Sequence, residues 1–249
     1  MKTNNEWEKW GASDPYFGVL SNEKYRIKNL TNESKEEFFA SGVSHVNFIF
    51  DLINKYFFVN LKPKTILDFG CGVGRLAIPF ADHAENVLGV DISPSMLDHA
   101  KRNAKKKLIK NIDFVISDDA LSNISGSYSL IHSYIVFQHI PKKRGHLIIL
   151  NLAEKVEPEG FIAFHIFTES TASLPTKFLV RLRYRLPPIQ WLWNFVKKRP
   201  LFEPPMQLNC YDAKYLSENL AAIGFSELRF IDVPSIPGFK GVLLVARRV

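Results

Sequence analysis

The chain has 249 residues, of which 46% are hydrophobic and 23% charged, enough apolar material to build one packed α/β unit with additions. Its net charge of +7 and pI near 9.3 permit an acidic partner such as nucleic acid, a phosphorylated metabolite or an anionic membrane surface, and require none of them. Two cysteines, Cys71 and Cys210, exclude a disulfide framework; there is no run of about 18 apolar residues to span a bilayer and no apolar stretch at the start to serve as a signal peptide. A soluble, cytoplasmic protein in a reducing compartment is the expectation.

Residues 1–33 read as a polar, aromatic-studded and aperiodic arm, and Ser34-Lys-Glu-Glu37 as a capping box that starts an apolar-striped helix running towards Phe58. Residues 1–60 are therefore expected to form an N-terminal arm and helix that cap the site, with the core at 61–249. From Lys64 the pattern alternates: strand 65–69, helix 74–83, strand 86–90, helix 94–107, strands 112–116 and 128–134, helix 142–156, strand 161–167. Such alternation predicts a doubly wound, mostly parallel sheet with helices on both faces. Tyr211–Ile223 reads as a helix closed by Gly224, followed by strands at 226–232 and 240–247. Residues 168–207 do not fit the alternation. They are rich in proline, aromatic and basic residues and read as an insertion, inside which 180–186 suits an edge strand by its alternation and a helix by the one-turn spacing of Arg181 and Arg185. Pro187-Pro188 ends that segment, and Trp191, Trp193 and Phe195 then precede Lys197-Lys-Arg199.

The most telling stretch is Thr65-Ile-Leu-Asp-Phe-Gly-Cys-Gly-Val-Gly-Arg-Leu76, a short apolar strand that empties into three glycines. Gly70, Gly72 and Gly74 leave no Cβ in the way, so a ligand can lie against the main chain. A second strand, Asn86–Asp91, places a carboxylate where doubly wound folds present an acid to ribose hydroxyls. A dinucleotide fingerprint wants its third glycine five positions after the first; here it comes at four and Arg75 stands at five. Asp68, just before the loop, repels a pyrophosphate but attracts a ligand that carries an ammonium group and a sulfonium. S-adenosylmethionine is such a ligand.

Asp68 to Arg75 resembles motif I of the class I S-adenosylmethionine-dependent methyltransferases, small-molecule type, and the resemblance covers roughly residues 60–170. It implies a seven-stranded sheet with an antiparallel last strand. It implies further that Asp68, Gly70, Cys71, Gly72, Gly74 and Arg75 surround the methionine part and that Asp91 holds the ribose. Ile92 or Met96 then packs on adenine, and Asp119 rather than Asp118 accepts from the adenine amino group beside Ala120. The loop from Ser133 to His139, the arm and the insertion would form the acceptor pocket.

Several of these residues carry a second reading. Arg75 could reach the methionine carboxylate or form a surface ion pair. His139 could be the general base, or a residue that orders the loop before Pro141; His165 is a further candidate or a core histidine. Trp7, Trp10, Tyr16, Phe17 and Tyr25 could fold over the cofactor or strap onto the core. The insertion suits a substrate lid, a membrane contact through 175–199, or a nucleic-acid backbone. No Asn/Asp-Pro-Pro-Tyr/Phe tetrad follows the fourth strand and no Pro-Cys pair is present, which disfavours nucleobase acceptors; histidines and acids show no metal spacing, so no metal is expected. The function expected is methyl transfer from S-adenosylmethionine to oxygen or nitrogen of a small or medium-sized acceptor that can be anionic. Its competitors are a non-catalytic module that binds the same cofactor, a methyltransferase acting on a lipid-linked or nucleic-acid acceptor, and a nucleotide-dependent oxidoreductase, which the loop spacing disfavours.

Overall fold

Local sequence chemistry sets the ends of most elements in the computed structural model, which describes residues 2–249, apart from the side chains of Lys2, Leu174, Lys177 and Arg181. The arm is mostly helical: α1 (Lys2–Ser13), α2 (Pro15–Val19) and a 3-10 turn at Glu23–Tyr25. The aperiodic reading of this segment fails because its helices are short and bury their aromatic residues against the body. Helix α3 (Asn32–Phe57) starts two residues before the expected Ser34. Thr31 is its N-cap, accepting from the Ser34 amide at 3.1 Å while Ser34 Oγ accepts from the Thr31 amide at 2.9 Å, so Ser34 closes the capping box from its third position.

The sheet then begins with β1 (Thr65–Phe69), followed by α4 (Ala77–Phe80), β2 (Asn86–Asp91), α5 (Pro94–Lys106), β3 (Ile112–Ile116), β4 (Tyr128–Ser133) and α6 (Lys142–Ala153). After these come β5 (Val156–Ser170), α7 (Leu174–Arg185), α8 (Pro187–Val196), α9 (Ala213–Ala222), β6 (Phe225–Val233) and β7 (Phe239–Arg248). Helix α4 is one turn, against the ten residues expected at 74–83, because Gly74 takes a positive φ of 86° and Pro79 offers no N–H to extend the ladder. Where periodicity leaves strand and helix open at 180–186, the chain is helical through Arg185 and extended at Leu186.

The seven strands run in the order β3-β2-β1-β4-β5-β7-β6. The first five pair in parallel, and β7 lies antiparallel to both β5 and β6. Alternation along each strand divides the interior in two. Leu67, Ile131, Ile162, Phe164 and Leu244 face α6 and α9 on one side, whereas Ile66, Leu130, Ala163, Leu243 and Val245 face α3 and α4 on the other. A third cluster joins Trp10, Tyr16, Phe17 and Tyr25 of the arm to Phe38, Val73 and Met96. Among the described residues no helix is long and apolar enough to cross a membrane.

Candidate functional site

Strands β1 and β4 are neighbours, but the chain leaves β1 towards β2 and leaves β4 towards β5, so a crevice opens at their carboxyl ends. A cavity of about 790 Å³, counting its open mouth, fills that crevice. Phe69, Gly70 and Gly72 form its floor, and Asp91, Ile92 and Met96 one side. Ser117, Asp118 and Asp119 follow β3, while Tyr134 to Val136 with His139 follow β4. Thr3, Asn4, Trp7, Gly18 and Val19 of the arm form a roof.

The loop after β1 is tied down by its own backbone. The amides of Gly70 and Cys71 both donate to the Val90 carbonyl, at 2.8 and 3.0 Å. Gly70 and Gly72 have φ of 73° and 54°, angles that cost other residues roughly 1–2 kcal/mol. A Cβ on Gly72 would also press into a methyl of Val19, and one on Gly70 into Val136, so the loop is a cradle that any side chain would fill. Asp91 is the acid at this wall. Its Oδ2 accepts from the Gly72 amide and its Oδ1 from the Ser93 amide, both at 2.9 Å, and the carboxylate, which can accept more than these bonds, lines the cavity. Burial pushes its carboxyl up to about 6, against the pull of those amides.

At the opposite end, Arg144 of α6 grips Asp119 with two bonds, Nε at 2.7 Å and Nη2 at 2.5 Å, and the same Nη2 donates to Asn4 Oδ1 at 2.8 Å. Arg144 was missed in the sequence. The signal was there: three cations, Lys142 to Arg144, open a helix whose dipole disfavours them, and one of the three has an acid of its own. His139 lies in the wall, 5.0 Å from Trp7 between ring centres. Its Nδ1 is 2.7 Å from the Gln207 carbonyl, which can only accept, so Nδ1 carries the hydrogen and Nε2 keeps its lone pair in the neutral ring. Burial lowers its pKa to about 4, with the Gln207 bond opposing.

Other expected residues stand behind the wall. Strand alternation turns Asp68 towards the α3 side, where it meets the register-matched His132 with Oδ1 and Nδ1 2.9 Å apart. His132 Nε2 lies 3.2 Å from His45 Nε2, and the His45 ring sits 4.0 Å from that of Tyr134, which reaches the cavity. Burial drives Asp68 up to about 8 and His132 down to about 3, each towards its neutral form. His165 is a core residue beside Tyr134, both ring nitrogens without partners. Arg75 is buried, so the surface ion pair suggested for it does not form; Nη1 donates to Ser41 Oγ at 3.4 Å and Nε has no partner. Cys71 points under Gly89, and Ser133 Oγ donates to the Phe69 carbonyl at 2.9 Å. Gly74 packs on Ile78 and Ala100, and Ala120 opens on a separate groove.

The arm's aromatic residues divide: Trp7 lines the cavity, while Trp10, Tyr16, Phe17 and Tyr25 strap onto the body. The insertion departs from expectation. Among the described residues none of 168–207 lines the cavity; the segment instead braces the roof, with Tyr184 Oη donating to Glu6 at 2.5 Å and Arg26 pairing with Glu203 at 2.8 Å.

Residues 66–160 match a family model described as a methyltransferase domain. The chain is 33% identical over 107 residues to the ubiquinone biosynthesis O-methyltransferase of Coxiella burnetii, which covers 43% of this chain and 44% of the relative; it thus spans less than half the length of the curated relative it matches. Among solved structures it resembles magnesium protoporphyrin IX methyltransferase from Synechocystis PCC 6803 with bound S-adenosylhomocysteine, at a TM-score of 0.62 and 18% identity over 99% of this chain and 98% of that one. It also resembles the N-methyltransferase NodS of Bradyrhizobium japonicum in complex with S-adenosyl-L-homocysteine, at 0.60 and 13% over 100% and 99%. A methyltransferase-domain match thus occupies the centre of the chain, and the seven-stranded sheet with its antiparallel last strand gives the chain the same fold as these solved structures.

Proposed function

We propose that this chain transfers a methyl group from S-adenosylmethionine to an oxygen or nitrogen of a small or medium-sized acceptor. The observation that carries the reading is Asp91, a buried carboxylate held by the Gly72 and Ser93 amides and lining the cavity. A vicinal diol such as ribose fits that geometry. Ile92 and Met96 supply apolar faces for adenine, and Asp119, steadied by Arg144, keeps a lone pair on each oxygen for the amino group. Gly70 and Gly72 give main-chain contact to the methionine part, with Asp68, Cys71, Gly74, Arg75 and Ser133 supporting it from behind.

Bound there, S-adenosylmethionine supplies an electrophilic methyl on a sulfonium. The chain's own contribution is orientation and the exclusion of water, for which the roof of Thr3, Asn4 and Trp7 is placed. His139 accepts the acceptor's proton at Nε2, since Nδ1–H is committed to Gln207. A pKa near 4 is sufficient for this, because a hydroxyl or amine becomes strongly acidic as it gains a carbon bond. That lone pair favours turnover over a binding module without chemistry. Lys197, Lys198 and Arg199 of the insertion line a groove other than the cavity, which favours a compact acceptor over a nucleic acid. A cytoplasmic setting is part of the same proposal.

The test is Asp91→Ala. Losing the ribose contact weakens S-adenosylhomocysteine binding by about 1.5–3 kcal/mol, roughly ten- to a hundredfold; unchanged affinity would falsify the assignment. His139→Gln, by contrast, is expected to lower kcat and leave that affinity within about twofold.

A further inference from the structure

Helix α8 is inside out. Its polar residues Gln190 and Asn194, four apart, are buried and bonded to each other at 2.9 Å, with Asn194 Nδ2 also donating to the carbonyls of Leu201 and Glu203 at 3.0 Å and Gln190 Oε1 accepting from Arg183 at 3.1 Å. The opposite face carries Trp191, Leu192, Phe195 and Val196, and Phe202 extends it through an edge-on contact with Trp191 at 5.4 Å. Leu192, Phe195, Val196 and Phe202 are 64, 73, 65 and 69% exposed. In water a helix turns its apolar stripe to the protein; this one turns it outward and spends its polar side chains on the protein side. Such an arrangement is stable when a second apolar phase covers the outer face.

Charge identifies that phase. Residues 171–202 contain seven Lys and Arg and no Asp or Glu. Lys197 and Lys198 close α8 beside the apolar face and are exposed, and with Lys9 and Lys28 they line a groove next to it. Large apolar side chains flanked by cations is the composition of a helix that lies in the headgroup layer, its aromatic residues in the acyl boundary and its cations on the phosphates. Glu203 in that groove is already paired with Arg26 and Arg199, so a second copy of this chain would set Lys197 and Lys198 against their own like, and a nucleic acid would leave the apolar face in water. We propose that α8 and the turn to Phe202 form a seat for an anionic phospholipid bilayer, on which the chain lies without crossing it. The seat adjoins the arm, through Arg26 and Glu203, so docking brings the roof of the cavity close to the membrane surface.

The experiment is cosedimentation of the full chain with vesicles of phosphatidylcholine alone and of phosphatidylcholine mixed with phosphatidylglycerol. The protein is expected to pellet with the anionic vesicles and stay in solution with the neutral ones. Leu192→Gln/Phe195→Gln should remain in the supernatant, and Lys197→Glu/Lys198→Glu should bind at least about tenfold more weakly, each with unchanged circular dichroism. No sedimentation with either lipid, or sedimentation undiminished in the apolar double variant, overturns the proposal. So does a concentration-dependent dimer that the apolar variant dissolves while vesicles capture nothing. Binding of S-adenosylhomocysteine is a separate readout, so failure of the seat and failure of the methyltransferase reading are told apart.

Discussion

At the scale of single residues, Asp91 joins stability to binding through one proton. Its carboxyl is raised to about 6 by burial, above the unfolded value near 3.8, so the folded chain holds that proton more tightly than the unfolded one. The linkage sign follows: stability from this group is present at low pH and is lost as pH rises between about 4 and 6. Binding runs the other way, because two ribose hydroxyls need an ionised acceptor. S-adenosylhomocysteine affinity should be flat through neutral pH and fall by about tenfold for each unit below about 6, measurable by calorimetry across that range. A flat profile down to pH 4.5, roughly, would detach the ribose from Asp91. Gly72 supplies a second test. Gly72→Ala must hold an L-residue at φ 54° and displace Val19, so it should destabilise the fold by at least about 1–2 kcal/mol and unseat the roof, seen as a lower melting temperature and weaker ligand binding.

Among elements, the arm is held by few contacts of high value. Glu8 of α1 accepts from Ser93 Oγ at 2.7 Å, the Ser95 amide at 3.2 Å and Ser95 Oγ at 2.5 Å, at the start of α5. Burial would raise its carboxyl, but the bonds from Ser95 and Ser93 prevail and lower it, and the α5 dipole adds to the attraction. Glu8→Ala should cost about 1.5–3 kcal/mol, appear as early proteolysis within residues 1–30, and weaken ligand binding because Thr3, Asn4 and Trp7 leave with the helix. Thr31→Ala removes a cap alone. It should cost about 1 kcal/mol, or roughly 2–4 °C in Tm for a chain of this size, with binding untouched.

For the molecule as a whole, what could be read ahead of the structure followed how local each signal was. The alternation of β-branched strands with helices, and the acids that follow β2 and β3, are encoded within short windows, so the parallel sheet and the positions of Asp91 and Asp119 were legible, whereas the antiparallel β7 between β5 and β6 was implied by the family resemblance alone. The side-chain direction of Asp68 was not, since it depends on the β1–β4 register that seats His132 opposite it. Arg144 on Asp119 joins residues 25 apart, and Tyr184 on Glu6 joins residues 178 apart; no window contains either pair. The insertion misled because composition marked it as a surface that meets something, while only packing revealed that it braces the arm and the back of the wall through Tyr184 and Gln207.

The central claim is that the crevice beyond β1, β2 and β4 holds S-adenosylmethionine. The most direct measurement is calorimetric titration of the purified chain with S-adenosylmethionine, S-adenosylhomocysteine and NADH in parallel. Saturable binding of the first two at one site per chain, with no heat from NADH, is the predicted result; saturation by NADH with no response to either sulfur nucleoside would contradict it and turn the search to hydride transfer.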